Sequence, residues 1–122
     1  MYTYKAKIDR VIDGDTFEST IDLGFGVSVR KMVRLAGVDT PEKNSKILLE
    51  RDLASRATAR AKNFLENRTV TIKTELDKDD KYGRVLAYVY ESDREFQANQ
   101  SYNLKLIQDG LANPYFGGKK NV

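Results

Sequence analysis

The stretch TFESTIDLGFGVSVRKMVRL, residues 16–35, constrains the fold more than any other part of the chain. Phe17, Ser19, Ile21 and Leu23 share one face of an alternating segment, and Val27, Val29, Val33 and Leu35 share one face of the next. A period of two interrupted by Gly24-Phe25-Gly26 is the pattern of an antiparallel hairpin with one buried side. Lys31 breaks the second apolar face, which predicts a bulge near it. A hairpin cannot bury its apolar side alone, so the rest of the chain must cover it. Residues 4–11 supply another alternating strand through Tyr4, Ala6 and Ile8, and 69–76 and 85–91 supply two more. Leu53, Ala57, Ala61, Phe64 and Leu65 mark the apolar stripe of a helix over 51–67. Leu104, Ile107 and Leu111 mark a second over 101–109, stopped by Gly110. Residues 43–50 have no clean period and read as a loop, and 77–83 as a polar turn.

The order is three strands, a helix, two strands, a helix, with no repeat and no linker. The expectation is a β-barrel with helices (α+β), an OB-fold with a five-stranded barrel plus two main helices. An open α+β sheet is the structural alternative. With 122 residues the chain has the size of one domain, 1–122, with a tail expected to be loose from about residue 117.

Two absences narrow the chemistry. No His means no imidazole base or ligand, and no Cys means no thiolate nucleophile, zinc ribbon or disulfide. Hydrolytic chemistry would have to use carboxylates, Lys, Arg, Tyr, hydroxyls and a hard metal ion. The net charge of +3 is too small for a general basic coat, yet it allows one basic cleft if some acids are committed locally. The first residues, MYTYKAKIDRV, carry no apolar signal core, and no run approaches a membrane span. The expectation is an intracellular, cytoplasmic protein, of a kind that phage or mobile elements encode.

Three short stretches carry candidate chemistry. IDGDT, residues 12–16, is turn-forming and also acidic, so it reads either as a bend or as a cation holder. In VRLAGVDTPE, 33–42, Pro41 keeps Thr40 extended and brings no N–H, which helps to leave the Thr40 carbonyl available beside Asp39 and Glu42. The same D-T-P-E is also a good helix start. DKYGR, 80–84, reads as a hairpin turn ending in Arg84. All three lie at strand ends, where a barrel gathers functional groups on its loops. Together they offer carboxylates at Asp15, Asp39 and Glu42 and guanidinium groups at Arg34 and Arg84. Carboxylates plus a carbonyl suit Ca²⁺, and guanidinium forks grip phosphate.

At these residues the chain resembles the staphylococcal nuclease family. IDGDT, VRLAGVDTPE and DKYGR stand in that family's order at nearly its spacing, and ASRATARAKNFLENRTVTIKTELD, LAYVY and LIQDGLA resemble the segments between and after them. The resemblance implies a Ca²⁺-dependent phosphodiesterase acting on DNA and RNA and leaving 3′-phosphate ends. It implies Asp15 and Asp39 as carboxylate ligands of calcium, with the Thr40 carbonyl beside them and Asp13 as a second acid near the metal. It implies Glu42 as general base and Arg34 and Arg84 on the scissile phosphate. It places Tyr82, Lys81 and Tyr115 near the bound nucleotide. A carboxylate is a weak base at neutral pH, so alkaline-favoured activity is expected. Without a base-reading helix the substrate preference is for single strands of any sequence, bound by a monomer with no membrane or stable protein partner. The rival reading is a non-catalytic OB-fold module that binds nucleic acid, since fold alone does not imply function.

Overall fold

The structure, a computed structural model, describes residues 2–42, 44–75 and 83–114. Five strands close into a barrel. β1 (Thr3–Asp13), β2 (Thr16–Gly24) and β3 (Val27–Leu35) form an antiparallel meander. A two-residue β4 (Val38–Asp39) and helix α1 (Leu48–Phe64) follow, then β5 (Thr69–Thr74) and β6 (Val85–Tyr90). The barrel order is β1-β2-β3-β6-β5, closed by antiparallel pairing of β5 with β1, and β3 runs parallel to β6. This is the OB-type arrangement expected from the strand order. Helices α2 (Asp93–Gln97) and α3 (Tyr102–Gln108) and a two-residue β7 (Asn113–Pro114) are the last elements among the described residues. No helix among the described residues is long and apolar enough to cross a membrane.

Alternation puts Ala6, Ile8, Phe17, Ile21, Val33, Leu35, Val70, Ile72, Ala87 and Val89 inside the barrel, all nearly inaccessible to solvent. Burying each large aliphatic or aromatic side chain there is worth about 2 kcal/mol relative to leaving it exposed. Helix α1 lies over β1 on a face of small residues, Ala54, Ala57 and Ala61, followed by Leu65 just past its end. Small side chains let the helix axis approach the barrel closely, and Gly14 shows how closely. A Cβ added there would sit 2.7 Å from the Ala57 Cβ.

Several expectations need correction. Pairing of β2 with β3 is unbroken around Lys31, with Ser19 opposite it, and the irregularities fall instead at Ile8/Arg10 and Val11/Asp13 of β1 and at Asp22/Gly24. The hairpin runs past the end of the core, so Leu23, Val27 and Lys31 are exposed on the inner side, and Lys31 is accommodated without a bulge. The first helix begins at Leu48 rather than Arg51 and ends at Phe64; Asn67, with φ of 67°, turns the chain away. Its Phe64 points largely to solvent and Ala54 takes its place in the buried stripe. D-T-P-E does not start a helix. In α3, Leu104 is exposed and the buried face is Tyr102, Asn103 and Leu106, with Ile107 and Leu111 partly covered. Ser101 caps that helix by accepting from the Leu104 N–H, 3.1 Å. Strand β5 stops at Thr74, and the turn at 77–83, apart from Gly83, and the tail from about 117 lie outside the described residues.

Candidate active site

The short turn between β1 and β2 is where the site begins. Asp13 pairs with Thr16, leaving Gly14 and Asp15 as the bend. Gly14 does not have positive φ. Its hydrogen side chain is required by crowding, because an added Cβ would meet Ala57 and would also come within 3.2 Å of Thr40 Cγ2. The bend is therefore pressed between α1 and the 38–42 segment, and that pressure aims Asp15. Asp15 Oδ1 accepts from the Thr16 hydroxyl at 3.0 Å, and Oδ2 accepts from the Thr40 N–H at 3.4 Å. The Leu35 N–H donates to the Asp15 carbonyl, 2.9 Å, which ties the bend to the end of β3.

Arg34 stands opposite Thr16 on the outer face of β3. Its Nη1 donates to the carbonyls of Leu35 (2.6 Å) and Val38 (3.0 Å), so the guanidinium is anchored by backbone. Its Nη2 lies 3.6 Å from Asp15 Oδ2 and 3.6 Å from Asp39 Oδ1. All three side chains are mostly buried. Asp39 reaches this point because β4 pairs with β7, Asp39 opposite Asn113 and Val38 opposite Pro114. Arg84 immediately precedes β6, whose Leu86 is the parallel neighbour of Arg34, so the alternation brings Arg84 to the same outer face.

These residues line one cleft of about 370 Å³. Asp13, Asp15, Arg34, Asp39, Thr40, Glu42 and Arg84 all contribute to its wall. Lys81, Tyr82 and Tyr115 lie outside the described residues. Gly14, Thr16, Asn44, Ala54 and Thr58 also line the cleft without having been singled out in the sequence as site residues. Thr16 could have been found as the cross-strand partner of Arg34; Thr58 carries no signal except its place one turn after Ala54. Buried Asn103 was also missed. Its Nδ2 donates to the carbonyls of Ala36 (2.8 Å) and Ala87 (3.1 Å), and its Oδ1 accepts from the Val89 N–H (2.9 Å). It thereby fastens the backbone just past β3 to the middle of β6, the strand that follows Arg84.

Among the described lining residues four acids face two arginines, so the cleft is short of positive charge. Among the described residues no group of three or more carboxylates gathers as a cation would require of carboxylates alone. Asp15 and Asp39 converge on one guanidinium nitrogen, however, and Thr40 is buried directly beside them. Two carboxylates, a neutral carbonyl and solvent form a hard-oxygen set that fits Ca²⁺, which completes its shell with water readily. The arrangement can therefore accommodate a divalent cation beside Arg34, whose guanidinium is held by two backbone carbonyls, with Arg84 and Glu42 lining the same cleft.

Residues 32–122 match the model of the family described as staphylococcal nuclease homologue. The chain is 38% identical over 109 residues to the thermonuclease of Staphylococcus intermedius, covering 89% of this chain and 58% of that protein. It is 33% identical over 110 residues to the thermonuclease of Staphylococcus hyicus, covering 90% and 59%. It is 31% identical over 106 residues to the SPbeta prophage-derived endonuclease YokF of Bacillus subtilis, covering 86% and 32%. The chain thus spans less than two thirds of the length of each of these relatives.

Proposed function

The chain belongs to the staphylococcal nuclease family, and we propose that its cleft hydrolyses phosphodiester bonds of DNA and RNA with Ca²⁺ as cofactor. The observation that carries this reading is the convergence of Asp15 and Asp39 on Arg34 in a cleft shared with Glu42 and Arg84. Asp15, Asp39 and the Thr40 carbonyl would hold the cation, with Asp13 adding negative charge beside them. Bound there, Ca²⁺ supplies Lewis-acid polarisation of the phosphate and lowers the cost of deprotonating water.

The protein's own groups do the rest. Glu42 accepts the proton of the attacking water. Arg34, whose orientation is fixed by the Leu35 and Val38 carbonyls, donates to the phosphate oxygens as charge builds on them. Arg84 donates from the adjacent strand. Donors of this kind, held in place before the reaction, are worth about 3–4 kcal/mol each in comparable sites. Departure of the 5′ oxygen leaves a 3′-phosphate and a 5′-hydroxyl end. Arginines committed to phosphate oxygens grip a backbone that every sequence shares, so cleavage has little sequence preference, and unpaired strands are the preferred substrate.

The test is incubation of plasmid and single-stranded DNA and RNA with Ca²⁺ or with chelator, followed by analysis of product ends. Cleavage should require Ca²⁺, yield 3′-phosphates and fall at least about a hundredfold in Glu42→Gln at unchanged melting temperature. A correctly folded Glu42→Gln protein that cleaves at the wild-type rate removes the general base. Binding without cleavage under every metal condition returns the protein to the class of non-catalytic OB-fold modules.

A further inference from the structure

The cleft is one end of a longer surface. Cross-strand neighbours in the meander form rows, and Asp13–Thr16–Arg34 is the row inside the cleft. Moving away from it along the same outer face, the next rows are Arg10–Glu18–Met32, then Lys7–Thr20–Arg30, then Lys5–Asp22–Ser28. Because side chains alternate, Arg34, Met32, Arg30 and Ser28 share one side of β3. Arg30 stands four residues from Arg34, a reach of about 13 Å along the strand. Lys7 and Arg30 flank Thr20 from the two neighbouring strands, which puts their Cα atoms about 10 Å apart.

The acids on this face are already engaged. Glu18 pairs with Arg10 at 3.0 Å. Asp22 accepts from the Gly24 N–H at 2.8 Å, and Asp9 accepts from the Thr20 hydroxyl at 2.6 Å. Lys5 is held by Asp93 and by the Thr71 hydroxyl. Among the described residues no acid pairs with Lys7 or Arg30, and both are exposed. The Thr20 hydroxyl proton is given to Asp9, and Lys7 and Arg30 stand on either side of that pair, in line with the cleft on a continuous strand face; two exposed cations so placed have the chemistry of a phosphate contact.

We propose that Lys7 and Arg30 form a second phosphate subsite, which holds the single strand flanking the scissile phosphate in the cleft. The inference rests on the nuclease reading for the identity of the ligand. It adds a direction to it: substrate leaves the cleft along β3 towards the β2–β3 hairpin. Positive groups spaced along a strand face suit a polyanion whose backbone is extended, and they contribute affinity without sequence preference.

The test measures binding separately from cleavage. Fluorescence anisotropy in chelator gives the affinity of wild type and of Lys7→Ala/Arg30→Ala for a labelled thymidine 20-mer and for a dinucleotide whose single phosphodiester occupies the cleft. For the 20-mer the double variant should bind about tenfold more weakly, and the slope of log affinity against log salt should flatten by about 1.4, roughly 0.7 per lost contact. Dinucleotide affinity should change less than twofold, and Lys7→Arg/Arg30→Lys should restore the 20-mer affinity. Unchanged 20-mer affinity and slope overturn the subsite while leaving hydrolysis intact. Equal losses for both ligands also overturn it, since the residues would then be acting through the cleft, and so does a wild type that fails to bind the 20-mer. A wild type that shows the predicted binding pattern yet never cleaves in Ca²⁺ supports the subsite and sinks the nuclease reading alone.

Discussion

Strand β2 begins and ends in a glycine-containing turn, and the two turns could hardly differ more. At Gly24-Phe25-Gly26 all three residues have positive φ, between 59° and 85°, and a Cβ at either glycine would touch nothing within 4 Å. Phe25 is wholly exposed at the tip. At Gly14 the backbone is ordinary, yet an added Cβ would collide with Ala57. One turn needs glycine for its dihedral angles, the other for its neighbours. The crowded turn carries Asp15 and adjoins Thr40 and Arg34. Its position is set by a helix, a loop and a neighbouring strand together, which is how a short acidic bend can become a rigid part of a cleft.

Substitutions can break this contrast in descending order of effect. Gly14→Ala should be the most severe, costing about 2 kcal/mol through overpacking against Ala57. It should also slow DNA cleavage at least tenfold, because the displaced bend carries Asp15 with it. Chemical denaturation and an initial-rate assay measure both, and a variant normal in each would show that the close approach to α1 is not constraining. Gly26→Ala should cost about 1 kcal/mol, since alanine is forced into the left-handed region, with cleavage unaffected. Loss of activity there would mean that the hairpin tip and the cleft are coupled. Phe25→Asn should have the smallest effect, a gain of a few tenths of a kcal/mol, because asparagine tolerates φ near 59° better than phenylalanine does. A loss of stability instead would reveal packing by Phe25 that its exposure does not suggest.

The barrel was legible because its strands alternate cleanly and bury one side: Phe17 and Ile21 on β2, and Val33 and Leu35 on β3, could face only inward. The residues of the candidate site could be picked out because they cluster at strand ends. The reason for Gly14 could not, since the atoms that crowd it come from residues 40 and 57. Leu104 was expected inside and lies outside, and Asn103 lies buried beside it, because hydropathy takes no account of an amide satisfied by three backbone partners. β4 and β7 are two residues each, too short to show any period, although they position Asp39. Lys31 suggested a bulge because periodicity cannot tell where along a strand the core ends.

The pairing of Asp39 with Asn113 gives the protein an order of assembly. During synthesis Asp39 emerges early, while the backbone that anchors it is among the last described parts to be made. A ribosome-bound chain lacking that segment carries the acidic bend and both arginines but has no second edge on which to set Asp39. The edge that seats Asp39 is therefore completed only after all five barrel strands have been synthesised.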